Sequence, residues 1–166
     1  MEKTRVCVII NPVSGTESKK NIPEEVASAF DQTQFDVIIR ITGYPGHATE
    51  IAKQAVKNRF AYVLTVGGDG TVNEVAKALV NTDTVLGIIP FGSGNGLARD
   101  LRISIDSEKA IQTILEGNVR TIDYGSANGH IFFCTCGVGF DAFISDKFAE
   151  EKKRGPLGYV RYIVEG

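Results

Sequence analysis

Apolar stretches of strand length alternate along the chain with segments in which alanine and branched aliphatic residues recur at helical spacing. Each apolar stretch leads into a polar or glycine-rich turn. Strands that alternate with helices in this way pair in parallel, and their crossover helices cover both faces of the sheet. The pattern therefore predicts a three-layer α/β fold with a parallel sheet. The predicted strands cover 5–10, 35–41, 62–66 and 85–89, and the helices between them cover 22–30, 48–58 and 72–80.

The pattern loosens after residue 90. A short helix is predicted at 97–101 and a longer one at 107–116. Two further strands, at 119–127 and 130–137, flank Asn128-Gly129, a dipeptide that suits the positive backbone dihedrals of a tight turn. We therefore expect an antiparallel hairpin of edge strands near the C-terminal end. Residues 142–166 predict two helical pieces that are broken at a Gly-Pro dipeptide.

Composition is that of an ordinary globular domain. Hydrophobic residues make up 43% and charged residues 23% of the 166 residues, and no repeat or long linker interrupts them, so we expect a single domain over 1–166. The 18 Lys and Arg against 20 Asp and Glu give a net charge of -2, which argues against nucleic acid as a partner. No apolar stretch approaches the length of a transmembrane helix, so membrane contact is expected to be peripheral.

The three cysteines are an odd number and do not form the framework of a secreted disulfide protein. A reducing cytoplasm is therefore the predicted location. Cys134 and Cys136 occupy same-face positions of a predicted strand. As half of a zinc site they would need imidazole ligands, and neither His47 nor His130 has the spacing of a metal ligand. We interpret the cysteines as buried structural thiols.

The strongest local motif is the glycine-rich turn at 66–74, Val-Gly-Gly-Asp-Gly-Thr-Val-Asn-Glu, which follows a predicted strand and opens a helix. Glycines let the backbone approach a phosphate closely, and the amides and dipole of a helix start favour negative charge. The turn lacks the lysine of a Walker A loop and the third glycine of the dinucleotide fingerprint. The alternative interpretation is a plain turn in which Asp69 or Thr71 caps the helix.

Two further turns are expected at the same edge of the sheet. Asn-Pro-Val-Ser-Gly at 11–15 follows the first predicted strand, and Pro-Phe-Gly-Ser-Gly-Asn-Gly at 90–96 follows the fourth. Thr42, which follows the second strand, joins them there. Ligands of open α/β sheets bind at the carboxyl ends of the strands, and loops rich in glycine, hydroxyls and amides suit phosphate and ribose. Together the turns favour a nucleotide site.

The basic side chains add little chemistry. His47 is interpreted as the first residue of a helix, because its neighbours in sequence include no evident acid or nucleophile to work with. Lys152, Lys153 and Arg154 form a cluster with two open interpretations, a solvated helix end or a contact with anionic lipid headgroups.

Taken in order, the motifs resemble the catalytic domain of diacylglycerol, sphingosine and ceramide kinases. The resemblance rests on Asn-Pro-x-Ser-Gly at 11–15, Gly-Gly-Asp-Gly-Thr-x-Asn-Glu at 67–74 and Pro-x-Gly-Ser-Gly-Asn-Gly-Leu-Ala at 90–98. It continues through Ile-Asp at 122–123 and Gly-x-Gly-Phe-Asp-Ala at 137–142, and so covers nearly the whole chain. The Gly-Gly-Asp-Gly core is shared with NAD kinases and is similar to that of phosphofructokinases, whereas the segment 93–98 favours lipid kinases.

The resemblance implies a Rossmann-like domain similar to the N-terminal domain of NAD kinases and phosphofructokinases, with ATP and Mg²⁺ as cofactors. Asp69 is implied as the catalytic carboxylate that helps to hold magnesium, and Asp123 is implied to join it. Gly92, Gly94 and Asn95 are implied in a phosphate or substrate loop. The implied nucleotide-binding residues are Asn11, Pro12, Val13, Ser14, Gly15, Thr42, Gly67, Gly68, Asp69, Gly70, Thr71, Val72, Asn73, Glu74 and Ser93.

Two departures from the family pattern change these expectations. Many bacterial members carry an acidic residue at the position of Gly96, so the acidic network around magnesium is one carboxylate short. The β-rich second domain of the family, which supplies the expected catalytic base and part of the lipid cleft, has no counterpart after Gly166. We therefore expect this chain to bind ATP without catalysing transfer alone, as a fragment of a longer protein rather than a natural short one.

The expected function is that of the ATP-binding half of a kinase that phosphorylates a lipid hydroxyl, such as that of diacylglycerol or a sphingoid base. Its expected partners are the lipid substrate and, peripherally, the membrane surface, in the cytoplasm. The alternatives are a phosphotransferase for a soluble substrate, similar to NAD kinases or phosphofructokinases, and a non-catalytic ATP-binding module. Assays with soluble substrates would reveal the phosphotransferase. The non-catalytic module is tested by whether the open reading frame continues beyond this chain.

Overall fold

The computed structural model describes residues 2–15, 20–139 and 142–143 of the chain. Most of the predicted elements are found within two residues of their expected bounds, whereas the third helix begins at Asp69, ahead of its predicted start at Val72. In chain order the elements are β1 (Thr4–Ile10), α1 (Ile22–Ala29), β2 (Phe35–Ile41), α2 (His47–Lys57), β3 (Tyr62–Gly67), α3 (Asp69–Leu79), β4 (Val85–Pro90), α4 (Gly96–Asp100), α5 (Ser107–Leu115), β5 (Gly125–Ala127) and β6 (His130–Phe132).

Strands β1 to β4 form one parallel sheet in the order β2-β1-β3-β4. The central strands are continuous apolar runs because both of their faces are covered, as is typical of parallel sheets. In β1, every residue from Val6 to Ile10 is buried, whereas the edge strand β2 is only partly buried. The predicted three-layer α/β class with a parallel sheet is confirmed.

The helices cover the two faces of this sheet in pairs. Helices α1 and α5 lie on one face, where Val26 and Ile111 pack against Leu64. Helices α2 and α3 lie on the other, and their Ala52 and Val75 share a second cluster with side chains of β1 and β3. Full burial of each large aliphatic side chain contributes roughly 1.5–3 kcal/mol, so the two clusters hold the strand ends in fixed positions.

The predicted hairpin is present, but its strands are shorter than expected. Strands β5 and β6 pair antiparallel over three residues each, and Asn128 and Gly129 take positive φ of 50° and 79° in the turn. The expected antiparallel hairpin is confirmed, and it forms a two-stranded sheet of its own, separate from the parallel sheet. Residues 119–124 form no strand, and their apolar side chains, Val119 and Ile122 among them, are not covered by any element among the described residues.

The interpretation of the cysteines as buried thiols holds for Cys7 but is wrong for Cys134 and Cys136. Cys7 is buried in β1, but Cys134 and Cys136 are exposed and follow β6 in an irregular segment, where Cys134 has a positive φ of 76°. A strand that ends at Phe132 cannot place them on its inner face. Within the described ranges, no group of three or more His, Cys, Asp and Glu side chains is arranged to hold a metal ion.

The tail lies largely outside the described residues. The predicted helical pieces at 142–166, including the basic cluster Lys152, Lys153 and Arg154, fall there apart from residues 142–143. Among the helices that are described, none has the length and apolar character needed to span a lipid bilayer.

Candidate functional site

A cleft of about 540 Å³ opens at the carboxyl ends of the four parallel strands. The strand order places β2 on one side of β1 and β3 on the other, so the chain reverses direction across the sheet between β1 and β3. This switch point is where open α/β sheets bind ligands. The lining comes from all four loops, as the sequence predicts, and consists of residues 11–15, 42–45, 48, 68–71, 74 and 92–94.

The loop after β1 is shaped by the side chain of Asn11. Its Nδ2 donates to Thr71 Oγ1 at 3.0 Å, and its Oδ1 accepts from the backbone amide of Val13 at 3.0 Å. The hydroxyl of Ser14 donates back to the carbonyl of Asn11 at 3.2 Å. Asn11 therefore ties the loop to the first turn of α3 and serves the site as a positioning residue.

The glycines of the turn between β3 and α3 have different tasks. Gly67 has no room for a side chain, because a Cβ there would lie 2.6 Å from Thr71 Oγ1. Gly68 meets Gly92 of the loop after β4, where a Cβ on Gly92 would lie 2.5 Å from the Gly68 Cα. Gly70 has open space around its Cβ position and lines the cleft. Two of the glycines thus permit close packing, while Gly70 leaves the cleft open.

Within the part of the chain that the structure describes, no side chain caps the start of α3. Gly68 occupies the N-cap position and makes no capping hydrogen bond, so the alternative in which Asp69 or Thr71 caps the helix is wrong. Thr71 is buried, and its hydroxyl accepts the bond from Asn11. An uncapped helix start offers its first amides and the positive end of its dipole to an anion.

Asp69 is the first residue of α3, and its carboxylate lies between the loops after β3 and β4. Oδ1 accepts a hydrogen bond of 2.6 Å from the backbone amide of Gly96, and Oδ2 lies 2.8 Å from the position that a Gly94 Cβ would take. The side chain is exposed and lines the cleft. Asp123 is also exposed, two residues before β5 and outside that lining, so its metal role stays a prediction.

The loop after β4 is closed by Asn95. Asn95 is buried in the left-handed conformation with φ 54°, where its Oδ1 accepts from the Gly92 amide and its Nδ2 donates to the Gly92 carbonyl, both at 2.8 Å. Arg99 Nε donates to the carbonyl of Gly94 at 2.8 Å. Asn95 lies behind the cleft as a structural residue, while Ser93 and Gly94 reach its lining.

Glu74 and Thr42 connect the cleft to the edge strand β2. Glu74 Oε1 accepts from the amide of Gly46 at 3.0 Å, and its carbonyl accepts from the Thr49 hydroxyl at 2.9 Å, so α3 holds the start of α2. Thr42 is buried beside the cleft, and its amide donates to the Ile10 carbonyl at 2.9 Å. Both predicted residues are brought into the lining.

Three residues of the predicted motif at 67–74, Gly67, Val72 and Asn73, do not belong to the cleft lining. The side chain of Val72 is buried in a third apolar cluster with Ile88 and Leu97. Asn73 is half-buried on the same helix turn, and its Oδ1 is buried without a hydrogen-bond partner among the described residues. The predicted contact of these three residues with a nucleotide therefore stays a prediction.

The sequence analysis missed Tyr44, which lines the cleft in the loop after β2. Its ring stacks on His47 with centroids 4.4 Å apart and planes 5° apart, and its hydroxyl donates to Glu50 Oε2 at 2.8 Å. The pKa of Tyr44 is raised above its usual value, and this hydrogen bond to Glu50 is the main cause. His47 is the first residue of α2, as predicted, and its Nδ1 accepts from the Gly43 amide at 3.0 Å.

The comparison with known families identifies the chain. The family model described as the diacylglycerol kinase catalytic domain matches residues 5–127, which include all four loops of the cleft. The chain belongs to this family. The Asn-Pro-x-Ser-Gly and Gly-Gly-Asp-Gly-Thr-x-Asn-Glu motifs and the loop after β4 are therefore diacylglycerol kinase-domain motifs, and the predicted resemblance is confirmed.

Individual relatives and solved structures agree with the diacylglycerol kinase family. The chain is 38% identical to a diacylglycerol kinase of Bacillus subtilis over 98% of its own length and 54% of that protein. It is 30% identical to a diacylglycerol kinase of Staphylococcus carnosus over 95% of its length and 53% of that protein. A crystal structure of a diacylglycerol kinase from Bacillus anthracis superposes with a TM-score of 0.68 at 28% identity, covering 80% of this chain and 49% of the other. The chain spans about half the length of these relatives.

Proposed function

We infer that the chain binds ATP in the cleft and acts as the nucleotide-binding part of an ATP-dependent lipid kinase. The observation that carries this inference is the meeting of glycine-rich loops from β1, β3 and β4 at the switch point of a diacylglycerol kinase-family domain. A cleft of about 540 Å³ is within the size range of small-molecule sites, which is roughly 300–1,000 Å³.

The phosphates are expected to lie against the turn between β3 and α3. Gly68 leaves the first amides of α3 without a side-chain cap, and Gly70 leaves open space in front of them. Helix dipole and amides together favour a phosphate at such a position. Ser93 and Gly94 face the same space from the loop after β4 and provide a second wall for the phosphate chain.

The residues present fit a magnesium ion that is shared with the phosphates. Mg²⁺ keeps several waters and is bound by one or two carboxylates together with substrate phosphates, so it requires no cluster of protein ligands. Asp69 is an exposed carboxylate at the phosphate end of the cleft, held in place by the Gly96 amide. The ion would supply neutralisation of charge on the phosphate oxygens.

This chain contributes alignment to phosphoryl transfer. Transfer depends mainly on positioning and on stabilisation of charge, which are the tasks of a rigid loop framework. The framework is provided by three sets of hydrogen bonds, from Asn11 to Thr71, between Asn95 and Gly92, and from the Gly46 amide to Glu74. The acceptor that we propose is a lipid hydroxyl such as that of diacylglycerol or a sphingoid base, reached by peripheral contact with a cytoplasmic membrane surface.

Calorimetric titration of the chain with ATP, in the presence and absence of magnesium, tests the proposed site. Gly70→Val is the blocking variant, since its side chain would extend into the open cleft. Lys77→Val is the matched control, because Lys77 is an exposed residue of the last turn of the same helix. We expect magnesium-dependent ATP binding by the wild type and Lys77→Val and its loss in Gly70→Val. Wild-type protein that binds no ATP, or equal binding by all three, would contradict the proposal.

The acceptor is tested by measuring transfer of labelled γ-phosphate from ATP. The protein is used in the form in which cells produce it. Vesicles that contain diacylglycerol or sphingosine are compared with NAD and fructose 6-phosphate in solution. Transfer to lipid alone supports the kinase that we propose, and transfer to a soluble acceptor identifies the alternative phosphotransferase. ATP binding without transfer to any of the four would identify a non-catalytic nucleotide module.

A further inference from the structure

The aromatic pair at one end of the cleft is built as a rigid surface. Tyr44 and His47 lie face to face at 4.4 Å, and each is anchored at its far side by a hydrogen bond, Tyr44 to Glu50 and His47 to the Gly43 amide. Even so, 52% of the Tyr44 surface is exposed, and it lines the cleft. An aromatic ring with one face supported and its surroundings open is suited to receive another flat ring.

The sheet order fixes where this surface stands relative to the phosphate-binding loops. Tyr44 follows β2 at one edge of the sheet, the glycine turn follows β3, and Asp69 borders the loop after β4 at the other edge. Crossing the cleft from β2 to β4 therefore leads from an aromatic ring, over the Asn11 loop, to glycine amides and then to a carboxylate. A nucleotide has the same order of parts, with base, ribose, phosphates and metal.

Apolar surface in the lining is concentrated at the aromatic end. Val13 is 70% exposed in the loop after β1, next to the loop that carries Tyr44. The lining from β3 and β4 offers glycines, a serine, a threonine and two acids. A flat heterocycle buries more apolar surface between Val13 and Tyr44 than over the glycine turn.

We propose that the ring of Tyr44, backed by His47, is the stacking platform for the base of the bound nucleotide. The inference rests on the proposed ATP site and names the part of that site that holds the purine. Base–aromatic stacking contributes about 1–3 kcal/mol per base by alanine substitution, which is about 5- to 150-fold in affinity. In this role the face of the Tyr44 ring contacts the base, and His47 is a positioning residue that supports the opposite face of that ring.

Two probes separate the base from the phosphates, namely Mg–ATP and magnesium with inorganic tripolyphosphate. Tyr44→Ala is expected to weaken ATP binding about tenfold and to leave tripolyphosphate binding unchanged. Tyr44→Phe keeps the ring face and loses only the hydroxyl bond to Glu50, so ATP affinity should stay within about twofold of wild type. Tyr124→Ala is the matched control, because Tyr124 is 45% exposed and lies outside the cleft lining.

The outcomes distinguish this inference from the proposed function. If Tyr44→Ala binds ATP as tightly as wild type, or loses both probes equally, the platform is overturned while the ATP site stands. If the wild type binds neither probe, the ATP site fails and the platform fails with it. The folded state of each variant is checked by its thermal unfolding.

A fluorescent variant gives an independent readout. The chain contains no tryptophan, so Tyr44→Trp places a single indole at the platform. Stacking of a purine on the indole should quench its emission on addition of Mg–ATP and leave it unchanged on addition of tripolyphosphate. Emission that is the same with and without ATP, under conditions where calorimetry detects binding, would overturn the stacking role.

Discussion

The carboxylate of Asp69 accepts a hydrogen bond of 2.6 Å from the backbone amide of Gly96, which joins the first residue of α3 to the first residue of α4. The Cβ position of Gly96 lies 3.6 Å from Asp69 Oδ1 and 3.1 Å from Cys134 Sγ. An acidic side chain at this position would have to enter between them. The chain thus orients this acid through a main-chain donor.

Asp69→Asn should keep the fold and remove the magnesium dependence of ATP binding. The asparagine Oδ1 still accepts from Gly96, so the free energy of unfolding should change by no more than about 1 kcal/mol through the lost interaction with the helix dipole. Loss of an outer-shell partner alone costs roughly 10–100-fold in metal affinity, so we expect Mg–ATP to bind at least about tenfold more weakly. Calorimetric titration with and without magnesium measures the affinity for ATP, and urea unfolding measures the change in stability.

The control for this variant is Asp83→Asn. Asp83 is an exposed carboxylate in the turn before β4, at the amino ends of the strands and away from the cleft. It should bind Mg–ATP as the wild type does. An Asp69→Asn protein in which magnesium still strengthens ATP binding would rule out Asp69 as the residue that holds the metal.

Two glycine-to-alanine changes should have opposite effects on stability. Gly92→Ala places a Cβ 2.5 Å from Gly68 Cα and 2.8 Å from Asn95 Oδ1, and such overpacking costs about 1–3 kcal/mol. Gly70→Ala meets nothing within 4 Å in the first turn of α3, and it should stabilise the fold by about 0.5–1 kcal/mol. Urea unfolding measures both. If both variants change the free energy of unfolding in the same direction, the assignment of Gly92 to close packing and of Gly70 to the open cleft is contradicted.

Glu74→Ala should loosen the start of α2. The change leaves the half-buried amide of Gly46 without the acceptor that it has in Glu74 Oε1, and an unsatisfied donor costs about 1–3 kcal/mol. Glu74→Gln retains an acceptor oxygen of the same reach and should lose less than half as much. If denaturant unfolding gives the same loss for both, the charge of Glu74 and not its bond to Gly46 holds the two helices.

Stability should fall in alkaline solution because of Cys7. Burial is the larger cause and raises the pKa of the Cys7 thiol from 9.0 to about 11, against the opposing charge of Arg40. The unfolded chain releases the proton above pH 9 while the folded chain keeps it, so the stabilisation is complete below pH 9 and is lost as the pH rises toward 11. At about 1.4 kcal/mol per pH unit the loss reaches at most about 3 kcal/mol.

Cys7→Ala provides the comparison for this prediction. The variant should be less stable at neutral pH, since it removes a buried sulfur, and its free energy of unfolding should depend less on pH between 9 and 11. Urea unfolding at a series of pH values measures the two slopes. If the free energy of unfolding falls equally steeply with pH in the wild type and in Cys7→Ala, groups other than Cys7 cause the loss of stability in alkaline solution.

The position of the site could be predicted from sequence because it follows from strand direction. Once four apolar runs alternate with helices, their carboxyl ends must share one edge, and Thr42, Gly70 and Ser93 must meet there. The same reasoning says nothing about which side chains face the ligand. Val72 and Asn95 belong to the motif in sequence, yet one is buried under α4 and the other holds its own loop.

The errors in prediction concern side chains whose surroundings depend on distant segments. The stack of Tyr44 on His47 needs the tight turn at Gly46, which has a φ of 89°, and a periodic pattern carries no information about it. Exposure of Cys134 and Cys136 follows from a strand that ends at Phe132 rather than at Gly137. Short strands of marginal burial are set by what they pack on, which local propensity does not contain.

Asn95 forms two hydrogen bonds with the two polar backbone atoms of Gly92, and so a small ring closes behind the tip that carries Ser93 and Gly94. These bonds are expected to hold the shape of the tip when a ligand binds. Much of the conformational entropy of this loop is then lost when the chain folds, so that less is lost when an anion binds. Encounter at this edge of the sheet is therefore expected to be a docking of rigid bodies, with a rate set by diffusion and charge.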